Sequence, residues 1–369
     1  MRSPVVAVLL VAMSAGCGGM SAPPAAPEPS APAGKRGILV MAHGGSPEWN
    51  AQVEGAVEPL RARWAVEVSY GMAVSSSIEA AVAKLEARGV DEIAVVRLFV
   101  SGESWREETR YILGLRPDLP PEQIAAHAAM GKEAHGEPGD KAAHGADGGH
   151  GAQGAAHGGQ AAHGGHGGHG GHGAHGGQGA HGNHGAHGGH GGHGAHGGHK
   201  MEAPRPIAHR SRIAMSHDGL GDSALINQVL VDRVRALSRD PASETVLVIA
   251  HGPGDDAEDG RWIARMKQRL AGLSAVGAFR AVEVATLRED WPEKRAAAEK
   301  KIRAIVARGG AGGGRVVVVP FRVAGFGPYA EVLAGLDYAS DGKGFLPHPN
   351  ITRWIEETAH GLLAASARR

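Results

Sequence analysis

The chain has 369 residues, with 38 Lys and Arg against 38 Asp and Glu. That even balance offers no basic surface for a nucleic acid, and no nucleic acid partner is expected. One cysteine, Cys17, excludes any disulfide within the chain.

Residues 1–16 read as a lipoprotein signal peptide: Arg2, an apolar run over 5–13, then small residues before Cys17. The apolar run is too short to span a bilayer. Ser14-Ala15-Gly16-Cys17 resembles a lipobox, so Cys17 is expected to carry a lipid anchor. The protein is then exported and held to the bacterial cell envelope, on the periplasmic face, with membrane contact through that anchor only. Residues 17–36 form a Pro-rich tether.

The first α/β lobe is placed at 37–130. Its opening strand, 37–42, is a continuous apolar run, as expected for a strand covered on both faces of a parallel sheet. A helix follows near 48–64, interrupted at Pro59, then a strand at 66–71 and a helix at 77–88. The strand 92–100 and a helix over 104–114 complete the lobe. Strands alternating with helices of this length imply βαβ units.

Residues 131–203 are almost entirely Gly, Ala and His, and sixteen of the 23 histidines lie between His135 and His199. With nothing apolar to bury, the segment is expected to be disordered. Imidazole suits Co, Ni, Fe, Cu and Zn, and glycine between ligands lets several converge on one ion. The candidate ligands of this insert are His163, His166, His169, His172, His175, His184, His187, His190, His193, His196 and His199.

The second lobe, placed at 204–369, repeats the order. A helix near 220–238 precedes strand 244–250, helix 257–271, strand 279–286, helix 292–308 and strand 315–320. GILVMAHGG at 37–45 matches VLVIAHGPG at 246–254, and the stretch 97–102 matches 320–325, which suggests a duplication. Each lobe thus sets a histidine, His43 or His251, where a buried strand ends, the place where open α/β sheets bind ligands. The following Gly44 and Gly252 would let the chain turn sharply there. Trp49, Trp64, Trp105, Trp262, Trp291 and Trp354 could stack on a flat ligand, but most stand at helical positions beside charges, and amphipathic packing is the favoured reading of each.

The apolar strand ending in His-Gly, the VEV strand, the helix opening Ser-Ile-Glu at 77–79 and the strand ending near Phe-Val resemble the sirohydrochlorin cobaltochelatase and ferrochelatase (CbiX-type) family of class II chelatases. The resemblance covers roughly 37–115 and 207–330. It implies a chelatase-like fold of two α/β lobes facing a cleft, and insertion of Co²⁺ or Fe²⁺ into a sirohydrochlorin-type tetrapyrrole without ATP. It makes His43 and His251 the catalytic residues, as metal ligand and proton acceptor. The family's glutamate falls on Met72 in the first half and Arg288 in the second; its second histidine falls near Ser104 and Gly327. Glu103, Glu107, Glu289, Asp290 and His348 are the groups that could complete the set. A divalent metal and a tetrapyrrole are the expected partners. The other reading is a non-catalytic metal-binding or delivery lipoprotein that has kept the fold.

Overall fold

The computed structural model describes residues 34–121 and 202–368. The leader, Cys17, nearly all of the tether and the whole histidine-rich tract of ligand candidates lie outside the described residues.

In chain order, β1 (Arg36–Ala42), α1 (Pro47–Arg61), β2 (Ala65–Tyr70), α2 (Ser75–Ala87), β3 (Glu92–Leu98) and α3 (Arg106–Ile112) precede the insert. After it come β4 (Arg212–Met215), α4 (Leu225–Leu237), β5 (Glu244–Ala250), α5 (Asp256–Arg269) and β6 (Ala281–Thr286). The chain ends with α6 (Pro292–Gly310), β7 (Arg315–Pro320), α7 (Tyr329–Val332) and α8 (Pro349–Ser366). Local chemistry starts several of these helices. Ser46 accepts from the Trp49 amide ahead of Pro47, and Asp255 accepts from the Glu258 amide at 2.7 Å. Helix α1 runs through Pro59 to Arg61, so the expected interruption there is absent.

Two parallel sheets form, in the orders β2-β1-β3-β4 and β6-β5-β7. The division of lobes at residue 204 needs correction, because β4 lies beyond the insert yet pairs with β3 of the first sheet. It is only four residues long, with no apolar run to announce it. In the second sheet the corresponding place is reduced to one parallel bridge between Val317 and Ala339.

Side chains alternate across each strand, and this alternation builds three cores. Ile38, Val40 and Ala42 of β1, with Val246, Val248 and Ala250 of β5, enter one central cluster that also holds the apolar stripes of α1, α4, α5 and α8. Leu39 and Met41 face outward to α2 and α3, and Leu247 and Ile249 outward to α6 and α7. Each of these buried Val, Leu, Ile and Met side chains contributes about 1.5–3 kcal/mol by leaving water. The long helices that end each half are exchanged: α4 follows the first sheet but packs on β7, while α8 follows the second sheet but packs on β3 and β4. Among the described residues no helix is long and apolar enough to cross a membrane.

Candidate functional site

Strands β1 and β5 each lie between two parallel neighbours, at the point where the strand order reverses. A crevice opens above such a point because the chain leaves the two sides in opposite directions. His43 and His251 are the first residues beyond these two strands. Their surroundings begin alike. In both, Nδ1 lies 2.8 Å from the carbonyl oxygen of the following glycine. Donation from Nδ1 to that carbonyl leaves the Nε2 lone pair as the reactive face of the ring.

Gly44 and Gly252 turn the chain at φ 83° and 76°. At Gly252 an added Cβ would also stand 2.5 Å from the Thr286 Cβ. Gly252→Ala is therefore expected to cost about 2–3 kcal/mol, read as a lower thermal midpoint, with His251 displaced.

Beyond the glycines the two lobes diverge. The backbone register makes Gly71 and Leu287 equivalent, since their amides donate to the Ala42 and Ala250 carbonyls at 3.0 and 2.9 Å. Counting on, Ala73 and Val74 stand where the second lobe has Glu289 and Asp290. His43 is exposed, whereas the half-buried His251 has Asp290 at 3.1 Å and Glu289 at 3.9 Å from its Nε2. Burial disfavours the charged imidazole, but the Asp290 hydrogen bond and the two carboxylate charges outweigh it. They hold the His251 pKa above its ordinary value.

Glu289 is itself fixed. Arg322, just beyond β7, pairs with it closely and lies 5.6 Å over the buried Tyr329 ring. Burial and the Glu289 charge push the Tyr329 hydroxyl well above its usual range. Arg288, which follows directly on Leu287, turns away from this group. It donates to the Gly254 carbonyl at 2.6 Å and to Asp256 at 2.7 Å, bracing the loop that carries His251. Its own φ of 58° makes that reach possible.

The other candidates are occupied elsewhere. Glu107 is held by Arg106, Arg110 and Arg116. Glu103 pairs with Arg261 of the other lobe at 3.1 Å and, after burial, is the second influence raising the Glu258 carboxyl. His348 does not swing toward His43 or His251: its Nδ1 accepts from the Asn350 amide as the cap of α8, and its Nε2 lies 3.2 Å from Asp232. The Ser104 carbonyl accepts from the buried Arg97 guanidinium at 2.7 Å. A side chain at Gly327 would meet Arg322 at 2.7 Å, so the position has no room for an imidazole while Arg322 stays.

Two surface concavities, one between α1 and the start of α8 and one beside β6, are lined by neither His43 nor His251. Among the described residues no group of three or more His, Cys, Asp or Glu is set to hold a metal ion. His251 with Asp290 and Glu289 comes nearest; Glu289 stands back because Arg322 holds it. The arrangement can do two things: accept a proton on an imidazole steadied by a carboxylate, and offer an imidazole lone pair to a cation.

Sequence reasoning singled out His43, His251, Glu289 and Asp290, and the last three are neighbours. It missed Arg322, whose signal was a charged residue inside the apolar run 316–324.

Residues 37–120 match the CbiX family model. No curated protein matches the chain. Among solved structures, SirB from Bacillus subtilis with Fe3+ is 13% identical, with 91% of this chain and 98% of that chain covered, at a TM-score of 0.49. The sirohydrochlorin chelatase SirB from Bacillus subtilis subspecies spizizenii in complex with cobalt is 13% identical, with 89% and 96% covered, at a TM-score of 0.43. DR2241 from Deinococcus radiodurans, a multi-domain protein with structural similarity to chelatases, is 16% identical, with 89% and 55% covered, at a TM-score of 0.40. The family similarity is confined to the first of these findings; the second lobe repeats the element order of the first around an equivalent histidine. Residues 37–120, the part of the chain that carries His43, are thus similar to the CbiX family.

Proposed function

We propose that the protein is a class II type chelatase in which a divalent cation and a flat tetrapyrrole meet at the strand ends, with His251 as proton acceptor. The observation that carries this is the approach of Asp290 to His251 Nε2 at 3.1 Å, on a ring whose Nδ1 is already committed to Gly252. Insertion exchanges two pyrrolic protons for one cation. Deprotonated His251 takes one proton, the other leaves to solvent water, and Asp290 and Glu289 stabilise the imidazolium that results. The exposed His43 supplies a ligand for the incoming ion, and the metal is substrate, not a resident group.

The delivery reading keeps one specific support: the absence, among the described residues, of a full ligand set. It is joined by the proposed export and lipid anchor at Cys17, since tetrapyrroles are built inside cells. Incubating the chain without residues 131–203 with sirohydrochlorin and Co²⁺, and following absorbance against the uncatalysed rate, separates the two. Acceleration selects the enzyme; metal binding without acceleration selects delivery.

The pH dependence gives a second check. A base works only when deprotonated, and His251 is held above 6.5. The acid limb of kcat/KM is therefore expected above that value, with activity lost as pH falls through it. Asp290→Asn removes the stabilising charge and should move the limb to lower pH. A limb that stays in place would assign the proton to another group.

A further inference from the structure

Six tryptophans are present, and five of them are packed. Trp262 and Trp354 are buried in the central core, Trp49 and Trp64 pack against it, and Trp105 packs against the outer core of the first sheet. Trp291 differs: it is 37% exposed. Exposing that much indole forgoes the burial that the other five obtain, unless something flat covers it.

Its position is specific. Trp291 directly follows Glu289 and Asp290, so one loop delivers two carboxylates and an indole to His251. The indole stands edge-on to the imidazole, with ring centroids 6.3 Å apart and planes at 89°. On one side it rests against Gly254, where any Cβ would collide with indole Cε2 and Nε1. That loop is braced in turn by Arg288 and Lys294, which both donate to the Gly254 carbonyl at 2.6 Å. The indole is thus held by a rigid support rather than left to wander.

We infer that Trp291 is the platform on which the flat substrate ring lies beside His251, and that it sets affinity for the ring rather than for the metal. This rests on the chelatase reading of His251. A macrocycle stacked parallel to the indole has the imidazole plane perpendicular to its own. The Nε2 lone pair lies in the imidazole plane, so this is the orientation in which that nitrogen can address the centre of the ring. The first lobe has no counterpart, because Val74 precedes Ser75 at the same place in the chain. The macrocycle is therefore assigned to the second lobe, while His43 faces the metal.

The test uses the full chain and a metal-free octacarboxylate porphyrin, titrated by its absorbance. Trp291→Ala is expected to weaken ring binding about tenfold or more, while Trp291→Phe, which keeps a flat face, stays within about threefold of the parent. Co²⁺ affinity should be unchanged in both, and the insertion reaction should show the loss in KM rather than in kcat. Thermal midpoints of both variants report whether the loop has stayed intact. Ring binding untouched in Trp291→Ala, with His251→Ala still slowing insertion, overturns this inference and leaves the chelatase reading standing. A parent chain that does not bind the ring at all overturns both.

Discussion

His251→Ala is expected to slow metal insertion by about a hundredfold or more, the range over which a positioned general base acts. The expectation follows from how completely the ring is prepared. The Gly252 carbonyl accepts from its Nδ1 at 2.8 Å, Asp290 meets Nε2 at 3.1 Å, and Glu289 is locked behind it by Arg322. The same substitution at His43 removes an exposed imidazole with no carboxylate in the equivalent place, so it should weaken metal affinity while leaving the acid limb of the pH profile unmoved. Initial rates of insertion across pH, with metal affinity measured separately, distinguish the two. If His251→Ala retains full insertion rate, the second lobe is not the reacting half. If both single variants lose the same amount of metal affinity and nothing else, the two imidazoles share one ion, as a pair facing each other across the cleft would.

Arg97→Met is expected to destabilise the fold by about 3–5 kcal/mol, seen as a lower urea midpoint with an unchanged m value. Arg97 is 1% exposed, and burial pushes its pKa down to about 10. Its guanidinium donates to the carbonyls of Ser216, Ser104, Gly102 and His217 at 2.7–3.0 Å. Those carbonyls belong to two separate loops, one after β3 and one after β4, so the side chain stitches the post-insert strand to the first sheet. Removing it leaves several buried acceptors without donors at once, and methionine fills the volume without repairing that. Arg97→Lys should recover only part of the loss, because one ammonium cannot span four carbonyls in a plane. A midpoint unchanged by Arg97→Met would mean that water replaces the guanidinium at little cost.

The strands were legible because burial on both faces writes them as apolar runs. Strands 244–250 and 315–320 agree with the structure to the residue, and β1 differs by one residue at its start. What the sequence hid has local physical reasons. Four residues, Arg-Ile-Ala-Met, are too few to show alternation, so β4 was invisible until pairing with β3 revealed it. His348 stood in a stretch of prolines and looked like an exposed turn; Pro349 at the first helical position is instead the start of an 18-residue helix that this histidine caps. Trp291 carried the signature of an amphipathic residue beside charges, and only the collision it would have with any side chain at Gly254 shows that it stands apart. The acid partners of His251 could be named from the sequence because they lie just past a strand adjacent to β5. Arg322 could not, since it reaches Glu289 across the intervening strand β5.

The crossed placement of α4 and α8 has a consequence for dissection of the molecule. A chain cut in the connection between α4 and β5 yields two pieces that each keep a sheet but surrender its inner cover to the other. Neither piece alone should behave as a well-behaved monomer; mixed together they should reassociate, each lending the other its missing lid. Reconstitution of activity from such complementary fragments is the natural outcome of this architecture, and grafting one half onto an unrelated scaffold is not.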